Sequence, residues 1–131
     1  MLYIKHLYMA NINGTEISLM PTEGMKAGAR QYKKWKSEGK KGGTQVAARR
    51  ATQILSGKEL SEDVVMRMYS FFARHEVDKK AEGFKAGEKG YPSAGRVAWS
   101  AWGSDSGFSW SKSKSQQIKK ARERFDDTLL N

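Results

Sequence analysis

The chain has 131 residues, a hydrophobic fraction of 38% and no cysteine. That length suits one domain with a single modest core, and the lack of thiols excludes disulfides and thiolate metal sites. A formal net charge of +10 points toward an anionic partner, and no stretch approaches the roughly 20 apolar residues that cross a bilayer.

The opening Met1–Ala10 has apolar residues, but Lys5 and His6 interrupt them. A secretory signal needs an unbroken apolar run of about 7–15 residues, so none is expected, and secretion with it. Met9 is an alternative start, which would make the first eight residues a loose extension. Residues 1–20 are expected to form an N-terminal arm, with a weak strand where Ile17 and Leu19 alternate with polar neighbours near the Asn13-Gly14 turn signal. Residues 21–131 are expected to form a single helical domain.

Pro21-Thr22 ends the arm, and Thr22 with Glu23 starts a helix running to about Glu38. Its larger apolar groups, Met25, Ala29, Tyr32 and Trp35, follow helical spacing. Gly39 to Gly43 is a basic, flexible break. Thr44 caps a second helix through about Ser56, with Val46, Ala47, Arg50, Ala51 and Ile54 on one face and Gly57 as its stop. Ser61, Glu62 and Asp63 form the strongest helix start in the chain, with Leu60 placed to pack on Val65. The helix they open carries Val65, Met68, Phe71 and Phe72 and is expected to be the core helix. Val77 to Tyr91 is polar and glycine-punctuated, so an ordered loop is expected. Pro92-Ser93 begins a short helix with Val97, Ala98, Ala101 and Trp102, stopped by Gly103. The last helix is expected from near Trp110 to Phe125, with Ile118 and Ala121 on its sparse apolar side. The fold class is therefore mainly α, a compact bundle of about five helices with a short N-terminal arm or strand.

The positive charge falls into two blocks. Nine cations against Glu38 lie between Lys26 and Arg50, a net of +8, and six against Glu123 lie between Lys112 and Arg124, a net of +5. Ser61 to Gly90 balances six cations with six acids and reads as a neutral centre. Lys33, Lys34, Lys36, Lys40, Lys41, Arg49 and Arg50 in the first block, with Lys119, Lys120 and Arg122 in the second, are the expected contacts to nucleic-acid phosphates. Such contacts release condensed counterions and give affinity without base reading. Solvated helix faces that keep the chain soluble are the plain alternative. Trp35, among the lysines, and Trp110, among serines and lysines, are the expected stacking or partner residues.

Other patterns carry less. Thr44 to His75 has the outline of a helix-turn-helix, but the second helix would lead with Glu62 and Asp63, which phosphate repels. A core helical hairpin is the expectation instead. His75-Glu76-x-Asp78 lacks the three or four converging ligands of a metal site, so no metal or cofactor is expected. Gly83 to Gly90 lacks the strand and the Gly-Lys-Ser/Thr ending of a phosphate loop. Ser93, Ser104, Ser106, Ser109 and Ser111 have no base and orienting group around them, so catalysis is not expected. Tyr91 to Trp110 holds three of the four tryptophans within twelve residues. It is read as a packing node before a stacking surface.

Gly42-Gly43-Thr44, Ser61 to Met68, Phe72 to Lys79 with its Arg-His-Glu-Val-Asp-Lys, and Tyr-Pro-Ser-Ala-Gly-Arg at 91–96 through Trp102-Gly103 resemble a small domain of tailed-phage genomes. That domain occurs as stand-alone proteins of unassigned role and as extensions of prohead-protease-like proteins. The resemblance covers most of residues 10–115 and implies a phage protein residing in the host cytoplasm or virion. It carries over no catalytic residues, because the protease nucleophile and paired histidines have no counterpart here. The expected function is non-enzymatic contact with nucleic-acid phosphates. The alternative is a virion-assembly or host-interaction module that binds an acidic protein surface.

Overall fold

Four helices begin at a serine or threonine whose hydroxyl accepts a backbone N–H three residues on: Thr22 from Met25 at 3.2 Å, Thr44 from Ala47 at 3.2 Å, Ser61 from Val64 at 3.1 Å and Ser93 from Arg96 at 3.0 Å. Each bond satisfies a donor that has no intrahelical partner. A computed structural model describes residues 9–130, with side chains as far as Arg124. The extension expected before Met9 and the Phe125 side chain fall outside that range. The chain runs β1 (Ala10–Ile12), β2 (Thr15–Ile17), α1 (Glu23–Ser37), α2 (Gln45–Leu55), α3 (Glu62–His75), a 3-10 turn (Glu76–Lys80), α4 (Ala94–Ala101) and α5 (Ser104–Leu130). Among the described residues it is a mainly helical bundle of five α-helices, as the sequence leads one to expect, and the arm expected to carry a weak strand forms a short antiparallel hairpin.

In the hairpin Ala10 pairs with Ile17 and Ile12 with Thr15, around Asn13 and Gly14, both at positive φ. A two-residue turn needs that backbone to match the strand twist. Ile12, Ile17 and Leu19 are buried, and Leu19 O accepts from Leu60 N at 3.0 Å, so the arm is part of the core.

Three departures have identifiable causes. The segment expected to be loop opens with the 3-10 turn, which the His75 Nδ1 and Asp78 Oδ2 contact at 3.2 Å braces. The last helix starts at Ser104, six residues before Trp110. Its first turn is rich in Ser and Gly, which locally disfavours helix; tertiary contact overrides this. Positive φ at Gly103 and Ser104 reverses the chain, and a β-carbon built on Gly28 would lie 2.9 Å from the Gly103 carbonyl carbon. Lastly, α2 and α3 do not form the expected hairpin. α2 packs on α1 and α4, while α3 packs on α5.

Trp99 is the centre of the core, at 1% exposure. Phe72, Phe108 and Phe84 meet its ring edge-on at 4.7, 5.6 and 5.8 Å between centroids, the arrangement that aromatic quadrupoles favour. Its indole N–H donates to Asp105 Oδ1 at 2.9 Å, and Lys79 Nζ reaches the same oxygen at 2.8 Å. Partial burial opposes the Asp105 charge, but hydrogen bonds from Lys79 and Trp99 and the fields of Lys79 and Arg96 prevail. Its carboxyl is held below the usual range.

The ionised form of Asp105 therefore stabilises the fold in full above the ordinary carboxylate value of about 4. That contribution fades as pH falls through the lower native value. Thermal midpoints between about pH 6 and pH 2.5 should fall more steeply for the native chain than for Asp105→Asn, and parallel curves would contradict the assignment. Gly28→Ala should cost about 1–3 kcal/mol by forcing α1 away from the Gly103-Ser104 reversal. A urea midpoint that did not move would show that contact to be loose.

Candidate functional site

Because α2 and α3 part company, an open groove of about 580 Å³ lies between them, with α4 closing one side. Val46, Ala47, Met66, Ala98, Phe71 and Trp102 give it an apolar lining. Arg50, Arg67, Arg74 and His75 also line it, and no acidic residue does. Phe71 and Trp102 stack with centroids 4.5 Å apart and planes 9° from parallel. His75 lies 4.6 Å from the Phe71 ring, and the Arg50 guanidinium lies 5.3 Å over Trp102.

Arg50 is the unusual member. It is 5% exposed, Nη1 donates to Gln53 Oε1 at 3.0 Å, and buried Nε has no partner. Among the described residues no carboxylate forms a salt bridge with it. Burial and the neighbouring charges of Arg67 and Arg49 lower its pKa, against a smaller opposing pull from Asp63. A buried charge is normally paired, and removing it from water without a partner is costly. A carboxylate or phosphate oxygen is the group that satisfies a free guanidinium donor. The α2 N-terminus, with Thr44 and Val46 on the groove wall, adds the positive end of a helix dipole.

The structure divides the ten cations expected to meet phosphate. Lys34, Lys40, Lys41, Arg49, Lys119 and Lys120 are exposed. The Lys33 ammonium bonds Thr52 Oγ1 at 3.2 Å. Lys36 donates to the carbonyls of Lys40 and Gly42 at 3.0 and 3.1 Å, so it ties down the loop before α2. Arg122 pairs with Glu62 at 3.0 Å. Arg50 is a correction: it is no surface cation but a buried one, because it shares a helix face with Ala47, Ala51 and Ile54, all in the core.

Trp35 is a second correction. At 6% exposure its ring meets the edge of Tyr91 at 5.7 Å and the Arg96 guanidinium at 5.1 Å, which leaves it no role as a surface platform. Trp110 is half-buried and packs on the core. Trp99 and Trp102 are buried, so the tryptophan-rich segment is the packing node it was read as.

Nor do the two basic blocks sit side by side. α1 touches α5 at its first turns, through Gly24 with Ser106 and Gly28 with Gly103 and Ser104. Lys119 and Lys120 lie about 20 Å further along that helix, where Asn13 Nδ2 reaches the Ala121 carbonyl. What the fold gathers instead is Arg49 and Arg50 of α2 with Arg67 of α3, and with Arg74 on the same groove. Charge summed along the chain misses Arg67 and Arg74 because their segment is neutral in sum. Their spacing of seven, two helical turns with Ser70 and Phe71 between, was the available signal. Arg67 also pairs with Asp63 at 3.0 Å.

Among the described residues no group of three or more His, Asp or Glu converges as a metal site, and no helix is long and apolar enough to cross a membrane. No family model, curated protein or solved structure matches the chain.

Arg50→Met keeps the apolar stem and removes the uncompensated charge, so it should leave stability unchanged or raise it by about 1 kcal/mol. Added phosphate should raise the thermal midpoint of the native chain more than that of Arg50→Met, since an anion held only by the folded state stabilises it. Equal increments in the two proteins would remove Arg50 as an anion ligand.

Proposed function

We propose that this protein is a non-catalytic module that binds nucleic acid through its phosphates. The observation that carries this reading is Arg50, a buried guanidinium with an unpartnered donor and no salt bridge among the described residues, on an open groove lined by further cations and no acid. Lys34 of α1, Lys40 and Lys41 of the loop that leads into α2, and Arg49 of α2 are exposed, and would extend contact along a phosphate chain. Base-specific reading is not part of the proposal. α3 leads with Glu62 and Asp63, and carboxylates there would repel a duplex rather than enter its groove. The phage resemblance fits such a role, since packaged genomes and their handling supply dense polyanion, and on this reading the protein belongs in the host cytoplasm or the virion.

Phosphate neutralisation has a quantitative signature. The logarithm of the affinity falls with the logarithm of salt, by about 0.9 per phosphate contact on duplex DNA and about 0.7 on single strands. Changing Lys34, Lys40 and Lys41 together to Gln should make that slope shallower by about two to three on duplex, measured by fluorescence anisotropy from about 50 to 300 mM salt. A slope near zero in the native chain would overturn the proposal.

A further inference from the structure

We infer that the groove between α2 and α3 holds one nucleotide of a single strand, with its phosphate on Arg50 and its base against the apolar lining. This rests on the phosphate-binding reading above and goes further, because it separates single strands from duplexes.

The mixed chemistry of the groove is the reason. Cations alone serve any polyanion, and a duplex presents little else, with its bases paired and stacked inside. Here Arg50, Arg67 and Arg74 share the lining with Met66, Ala98, Phe71, Trp102 and Val46, and Val46 stands 41% exposed. A duplex backbone leaves that apolar surface uncovered, whereas a single strand has unstacked bases free to cover it. The volume of about 580 Å³ falls in the range of small-ligand sites, about 300–1,000 Å³. Arg50 lines the groove without a salt bridge among the described residues and is the cation assigned to the anion, through the guanidinium that also lies over the Trp102 ring.

Ring geometry sets the kind of recognition. Phe71 and Trp102 face one another and His75 lies against Phe71, so the groove offers ring edges and aliphatic carbons more than open ring faces. It therefore senses that a base is present without reading which base it is.

Three probes of equal phosphate count separate the possibilities: an oligothymidylate of about eight nucleotides, a duplex with the same number of phosphates, and an abasic strand. The native chain should bind oligothymidylate about tenfold more tightly than either of the others at matched salt. Val46→Asp, at an exposed position that leaves the core alone, and Arg50→Gln should each abolish that preference while the salt dependence persists. Equal affinity for all three probes with a steep salt slope would overturn the groove assignment and leave phosphate binding intact. No binding to any of them would overturn both. Displacement of oligothymidylate by polyglutamate of matched charge, lost in Val46→Asp, would overturn this inference in favour of an acidic protein chain.

Discussion

A buried indole N–H has to find an acceptor, and in this protein that requirement fixes much of the architecture. Trp99 is fully enclosed, with phenylalanine rings from α3, α5 and the loop before α4 around it. Its N–H reaches Asp105 in the first turn of α5, and the same carboxylate draws in Lys79 from the 3-10 turn. Left unpaired, that donor would cost about 1–3 kcal/mol. With it paired, α4 turns into α5 through the tight Gly103-Ser104 reversal, and the hydroxyl of Ser100 donates to the Gly28 carbonyl of α1 at 2.6 Å. That contact joins two helices and the 3-10 turn, and the separate Ser100 bond adds α1.

The groove is a consequence of that arrangement. α4 lies against α1 and α2, and α5 takes the length of α3, so the two helices adjacent in sequence, α2 and α3, are drawn to different partners. Leu60, between them, bonds Leu19 of the arm instead of folding the connection tightly. The gap is lined by residues that would be core in a closed hairpin, and Arg50 shows the effect best. It lies on the buried face of α2, yet it also lines the open groove. Both properties are needed for a strong anion ligand, since a low-dielectric setting strengthens the interaction and an open side admits the anion.

Charge counting and charge placement give different pictures. Along the chain the positive charge is concentrated in two blocks, and three of those cations are engaged at the surface by Thr52, by two loop carbonyls and by Glu62. The segment that sums to zero supplies Arg67 and Arg74 to the groove, because its acids and bases project from different turns of α3 and from the loop after it. Trp35 shows the converse. Among lysines it reads as exposed, but it is seven residues after buried Gly28 and three after buried Tyr32, on the inner face of α1.

What the sequence determined by itself is local. Ser and Thr caps, the Asn-Gly turn, and apolar spacing at three and four residues depend on neighbours within one or two turns, so four helix starts and the turn at Asn13-Gly14 were legible, while the pairing of two strands around it was not. Arg50 was also visible on the apolar face of its helix, although its charge suggested the surface. The tertiary structure alone decided where α5 begins, that α2 and α3 separate, and which cations converge. Those outcomes hinge on contacts between residues far apart in the chain, such as Trp99 rings with Phe72 and Phe84, Gly28 with Gly103, and Leu19 with Leu60. Their packing energy exceeds the weak helix propensity of a serine-rich turn, and no local pattern encodes it.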